Sequence, residues 1–435
     1  MRIPRAPGGA PHPALAALFW LAACGGAQPH ATAPCMSDTE CRLDRICHEG
    51  RCRFVEEVRA SLAHAVTTQA STGATSDADA GLAAATDTGS PALPAELPQA
   101  MGGPLRNGRS HREGPSQAPA ERWAHRTSGR ISASPVVGLD GTVYVGSLDR
   151  TFSAVAPDGT LRWRYTAADR FHGSAAVTPE GVVVVASDDG VVHALGPTGQ
   201  PAWRRPLGVR VEAGIALDAD GTIYVAAADG LHALDPRGNV RWHLALPGPI
   251  TATPAVHPAG LVLVGTPDGR LVAAHRDGAL AWEHATGGAV EGGAAVGDDG
   301  TIVVGNARGT VLALRPDGSE RWRFSTAATV LATPAIRRDG VVIIGSYDQR
   351  LYALDTEGRE LWQLETRGRI RASARIDAAG RVYVGSQDDG VYAISPEGAL
   401  LWRHTIGQDV DATVAFGADR TLYVGADDFA LHALR

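Results

Sequence analysis

Charged and hydroxylated side chains replace one another at a single recurrent place in this chain. Ser132, His172, Glu212, Thr251, Glu291, Leu331, Arg371 and Asp411 each stand nine residues after a tryptophan. Two residues earlier come Arg130, Arg170, Arg210 and Arg369, with Asp409 of opposite sign. Three consecutive arginines at equivalent places form a positive arc if the fold gathers them. An anionic ligand or an acidic partner segment would suit such an arc. Glu212, Glu291 and Asp411 are equally able to pair with those arginines, which would leave only a solvated rim.

The other reactive side chains point less clearly to a site. Asp149, Asp189, Asp229, Asp268, Asp348, Asp388 and Asp428 recur at one turn position. Capping of the turn by the Asx side chain explains them better than a row of calcium ligands on separate units. His193, His232 and His432 share a slot held elsewhere by Val272, Leu312, Tyr352 and Tyr392, which marks a packing position rather than a metal site. No Ser/His/Asp set and no glycine-rich phosphate loop can be nominated, so no catalytic residue and no metal ligand is assigned. The net charge of −7 and the lack of any Lys/Arg run argue against a nucleic-acid surface.

The elements that must position these residues follow from the repeat. After Trp20 the tryptophans are Trp123, Trp163, Trp203, Trp242, Trp282, Trp322, Trp362 and Trp402, spaced by 40 residues with one step of 39. An alanine lies nine residues before each of the last seven, from Ala154 to Ala393, and Ala433 extends the row. An apolar residue, from Ile131 to Val410, lies eight after each tryptophan. Each unit reads as four strands. In the first these are ISASPVVG, TVYVG, TFSAVA and TLRWRYT, with turns at Asp140-Gly141, Asp149 and Pro157-Asp158-Gly159. Proline presets φ in such turns and glycine accepts φ > 0. Residues 182–185 and 341–344 are apolar without alternation, so both faces of those strands must be covered. This pattern predicts an all-β fold, an eight-bladed β-propeller of four-stranded antiparallel blades. The last unit lacks a tryptophan strand, and a spare one, ERWAHR, stands at the start. That N-terminal strand is expected to complete the last blade and cover its open edge. The variable residues would then ring the central channel, with the arginines at its mouth.

Residues 1–23 read as an export signal: Arg2 and Arg5 precede a short apolar run ending Leu21-Ala22-Ala23-Cys24. That ending resembles the bacterial lipobox, which implies lipidation of Cys24, and Gly25 rather than Asp after it favours the outer membrane. Residues 24–34 are then a tether. Residues 35–54 form a small module with Cys35, Cys41, Cys47 and Cys52, an even, closely spaced set expected to be disulfide-bonded in an exported protein. Three pairings are possible, and Cys35–Cys47 with Cys41–Cys52 is the expectation. Residues 55–118, rich in Ala, Thr, Ser, Pro and Gly, read as a disordered, flexible linker with a span of roughly 45 Å. The propeller is placed at 119–435.

ALDPRGNVRW and AISPEGALLW show a small residue and a glycine turn leading to tryptophan. They resemble the repeat of the pyrroloquinoline-quinone-type (PQQ-type) propeller family, over residues 121–435. In that family the indole docks between neighbouring blades, the structural role the resemblance implies for all eight tryptophans. The alanine-to-tryptophan spacing is one residue shorter than usual there. WD40 repeats do not fit, since no tryptophan is followed by Asp. Quinoprotein dehydrogenases of the family hold quinone and Ca²⁺ in the ring's funnel, whereas BamB-like lipoproteins have the ring and no cofactor. Minimal units and a propeller without cysteine place this chain with the second group. The resemblance thus implies a cofactor-free, non-catalytic, monomeric scaffold. It would be anchored to the outer membrane, facing the periplasm or the surface, and bind envelope proteins such as the outer-membrane assembly machinery. Carbohydrate or small-ligand binding at the channel mouth is the alternative, ahead of a PQQ-dependent dehydrogenase. The candidate mouth residues are Arg130, Arg170, Arg210, His172, Glu212, Glu291, Arg369, Arg371 and Asp411.

Overall fold

A computed structural model of the chain describes residues 45–48, 51–54 and 98–435. Cys24, Cys35, Cys41 and residues 55–97 lie outside the described residues, and with them the lipidation, the disulfide pairing and most of the linker. Arg45–His48 and Arg51–Phe54 form an antiparallel hairpin in which Cys47 and Cys52 are register partners.

Eight four-stranded antiparallel sheets make up the rest. Blade 1 comprises Val136–Val137, Val143–Gly146, Thr151–Val155 and Leu161–Thr166, from the channel outward. The Asp140-Gly141 turn works by two devices. Gly141 takes φ +81°, and Asp140 accepts from the Thr142 amide at 3.0 Å. Second and third strands are buried along their length, as in Val183–Ser187 and Gly230–Leu234, because a neighbouring blade covers each face. Outer strands alternate between exposed and half-buried residues, as in Pro201–Pro206, with one face wet.

The three repeated rows are the contacts that hold blade to blade. The alanine and tryptophan of each unit are cross-strand partners, Ala154 opposite Trp163 and Ala353 opposite Trp362, and a bulge follows each pair. The bulge re-aims the indole over the next blade. There its Nε1–H donates to a turn carbonyl: Trp163 to Pro197 at 2.8 Å, Trp242 to Arg276 at 2.7 Å. The turn glycine beneath must lack a side chain, since a Cβ on Gly199 would lie 2.7 Å from the Trp163 ring. The apolar row closes the inner side. Ile370 packs on Gly345 of the preceding blade and Ile131 on Gly425, which joins the last blade to the first.

Closure follows the expected route. Glu121–Arg126 pairs with Ala430–Leu434 as the outer strand of blade 8, with Trp123 opposite Ala433. Ala120 and Arg435 extend the pairing by exchanging backbone hydrogen bonds of 3.0 and 2.9 Å.

Residues 98–118, assigned above to the flexible linker, are instead built into the ring. Residues 98–112 form a plug across the end where the inner strands finish. Its backbone carbonyls accept from Val177, Val256, Val296, Ile336 and Ile376, inner-strand amides of five blades, at 2.8–2.9 Å. Gln99 exchanges two hydrogen bonds with the Leu217 backbone, and Arg112 donates to the Phe416 carbonyl. Inner strands facing a channel have a free backbone edge, and the plug supplies its partners. Beyond it, Pro115 accepts from the Trp402 indole at 2.9 Å, standing in for the turn that the other blades provide. A segment whose own backbone follows no regular period carries no strand or helix signal, so composition alone reads it as linker.

His193, on the third strand of blade 2, occupies a packing slot. Its Nδ1 lies 3.1 Å from the Tyr165 hydroxyl and its Nε2 2.9 Å from Ser187 Oγ, and its ring meets Tyr165 and Phe171 edge-on. Burial pulls its pKa down to about 4. The neutral ring is favoured in the folded state, so this contribution is complete above pH 6.5 and is lost as pH falls from 6.5 to 4. The loss is on the order of 3 kcal/mol. His193→Gln keeps a donor and an acceptor without titrating. Its melting temperature should therefore fall less than that of the parent between pH 7 and 4.5, and parallel curves would refute the assignment.

Candidate functional site

The inner-strand row meets in one place. Ser132, His172, Glu212, Thr251, Glu291, Leu331, Arg371 and Asp411 all line a cavity of about 400 Å³ in the central channel. The geometry follows from the repeat: one residue per blade at a fixed offset must fall on a circle. Arg130 and Asp427 stand at the mouth, and Ala100, Met101 and Arg106 of the plug form the floor.

Below the variable row a second row ties the blades together. The Ser134 amide donates to Ser174 Oγ at 3.0 Å, Gly293 to Thr333 Oγ1 at 3.0 Å, Thr333 to Ser373 Oγ at 2.9 Å, and Thr413 to Ser134 Oγ at 3.1 Å. This row of Ser, Thr and Gly, eleven residues after each tryptophan, is visible in the sequence as a small-residue offset, but its role is not.

The predicted arginine arc does not form a positive surface. Arg130 meets Asp427 at 3.4 Å. Arg170, outside the cavity lining, lies 3.9 Å from Asp169. Arg210 meets Glu212 at 2.7 Å and Asp188 at 3.2 Å. Arg369 lies over the Tyr347 ring at 5.3 Å, and Arg371 meets Asp411 at 3.2 Å. Each arginine thus has a partner, because the strand and turn neighbours that carry them carry acids as well. Asp427 and Asp409 are crowded: burial pushes both carboxyls up, and nearby Asp411 adds to the shift.

His172 Nδ1 lies 2.7 Å from Asp188, and donor atoms of His172, Asp188 and Glu212 lie within 4.8 Å of one another. The Arg210 guanidinium already bridges both carboxylates, so it takes the position a metal cation would need. On blade 3, His232 lies 2.8 Å from Asp229 and stacks on His243 at 4.1 Å. His432 is held between Glu121 and Asp428 at 2.6 and 3.1 Å.

The channel residues do not fit a quinone with Ca²⁺. No Phe, Tyr or Trp lines the cavity, and the one imidazole there, His172, is held by Asp188, so a planar quinone has no broad ring to stack upon. Glu212, Asp411 and Asp427 would each have to leave an arginine to hold a cation.

Eight four-stranded blades, a tryptophan docked at each junction and a channel with tied charges define an eight-bladed propeller of the PQQ-repeat class. The family described as outer membrane protein assembly factor BamB matches residues 116–195, 188–289 and 267–421, and the chain belongs to that family. Among solved structures, BamB from Moraxella catarrhalis is similar with a TM-score of 0.62 and 19% identity, over 73% of this chain and 99% of that one. A europium-containing methanol dehydrogenase is similar at 0.63 and 13% identity, over 76% and 90%. The computationally designed Ika8 protein is similar at 0.63 and 19% identity, over 73% and 99%. At these identities the likeness shows the fold, which a dehydrogenase and a designed ring share. No curated protein matches the sequence.

Proposed function

We propose that this chain is a non-catalytic, lipid-anchored envelope propeller that docks protein partners, as a scaffold in outer-membrane protein assembly. The observation that carries this reading is the state of the channel rim: Arg130, Arg170, Arg210, Arg369 and Arg371 are each engaged, and among the described residues no lining serine is hydrogen-bonded to His172. Membership of the BamB family supports it further. Anchoring rests on Cys24, and among the described residues no helix is long and apolar enough to cross a membrane. Outer strands offer free backbone edges, the feature used when a partner adds a strand. Leu280 and Leu400 at the start of two such strands are about half exposed.

The test is affinity capture of the tagged mature protein from detergent-solubilised envelope. A reproducible envelope partner, recovered less well with Leu280→Glu and Leu400→Glu, is the expected result. Recovery of no such partner would count against the scaffold reading. A second reading, a small ligand in the channel, is favoured by the 400 Å³ cavity, a size within the range of ligand sites.

A further inference from the structure

Arg106 is a charged group in the channel that the fold does not satisfy. It is 7% exposed, yet among the described residues no carboxylate, carbonyl or hydroxyl accepts from its guanidinium, and its Nε is fully enclosed. The unpaired cation is expensive in this setting. Burial pulls its pKa down to about 10, and Arg375 nearby pushes in the same direction. Its backbone is also strained, at φ +51°, a region that a residue with a long side chain seldom adopts.

The surrounding structure makes room for this arrangement. Gly293 replaces the hydroxyl residue that blade 5 would otherwise carry in the small-residue row. A Cβ there would lie 2.9 Å from the Arg106 Nε. The plug therefore delivers a cation to the channel floor through a gap left in one blade.

The walls above are polar. Ser132 lines the same cavity, and its enclosed Oγ has no hydrogen-bond partner among the described residues. Glu291 lines the cavity and has no ion-pair partner among the described residues. A ligand that satisfies this set brings an anion for the floor and hydroxyls for the walls. An unpaired carboxylate such as Glu291 accepts from hydroxyls, as a serine hydroxyl can donate to or accept from them. The few apolar side chains, Ala100, Met101, Leu148 and Leu331, offer no platform for a flat hydrophobic molecule.

Resting on the second reading above, that the channel takes a small ligand, we propose that its floor seats the carboxylate of a small polyhydroxylated acid of the sugar-acid class, with Arg106 as the cationic partner.

The test is calorimetric titration of the full chain with D-glucuronate, D-glucose and cyclohexanecarboxylate, repeated on Arg106→Gln, Arg106→Lys and Glu291→Gln. Glucuronate is expected to bind, and the two probes that lack either the carboxylate or the hydroxyls to bind about tenfold more weakly or worse. Arg106→Gln should weaken glucuronate about tenfold or more, Arg106→Lys less, and Glu291→Gln by a few-fold. Without ligand, Arg106→Gln should melt no lower than the parent, since it removes an unpaired buried cation. A marked drop with unchanged glucuronate binding would make Arg106 structural and overturn the proposal. Equal binding of glucose would also overturn it while leaving the small-ligand reading intact. Binding of none of the three probes would defeat both. If Arg106→Gln does not fold, hydrogen exchange of residues 98–112 in the parent decides. Slowing by glucuronate and not by glucose supports the floor site, and equal or absent slowing refutes it.

Discussion

Replacing Trp402 with alanine should lower stability by about 3–5 kcal/mol. This indole is 5% exposed, the most buried of the eight described tryptophans in the repeat row. It lies against Tyr383 at 5.9 Å between ring centroids. Its Nε1–H donates to the Pro115 carbonyl, so truncation opens a cavity and leaves that buried carbonyl with the Tyr383 hydroxyl, at 3.1 Å, as its remaining side-chain donor. Trp242 makes the same type of hydrogen bond, to Arg276, but is only half-buried. Trp242→Ala should therefore cost less, because part of its surface is already in water. Urea titration of the two variants beside the parent measures the difference. Equal losses would mean that the enclosed docking position at Pro115 contributes nothing beyond the repeated contact.

Deleting residues 121–127 should convert the ring into aggregates. The deletion removes the outer strand of blade 8 and its Trp123, which docks on the Pro157 turn of blade 1 through a 2.9 Å hydrogen bond. Ala430–Leu434 would then present a bare edge of buried-type residues, an invitation to pair with another chain. The break also unlinks blade 8 from blade 1 on the outer side, leaving inner contacts such as Ile131 on Gly425 and the Thr413 amide on Ser134 Oγ. Light scattering after size-exclusion chromatography reads the outcome. A monomeric deletion variant as stable as the parent would show that the ring does not depend on this latch.

Much of the ring was legible because repetition converts a one-dimensional pattern into a geometric one. When Trp, Ala and an apolar residue return at the same offsets, each blade presents to its neighbour the surface it receives from the other side. Docking of Trp163 on Gly199 and of Ile370 on Gly345 is one solution used around the circle. The same logic brought Ser132, His172, Glu212, Glu291, Arg371 and Asp411 to one channel. Pairing of the arginines was less legible. Arg130 finds Asp427 across the closure, and Arg210 finds Asp188 in a turn of the preceding blade, contacts that depend on side-chain reach rather than on offset.

Fold class, blade number and the route of closure were present in the order of residues, since a strict repeat restricts how sheets can pack to very few arrangements. The plug and its Arg106 were not. They lie in a segment without period, whose conformation is set by inner-strand edges contributed from blades far along the chain. Folding of the ring creates those edges, and with them seats Arg106, a buried cation with no ion-pair partner among the described residues.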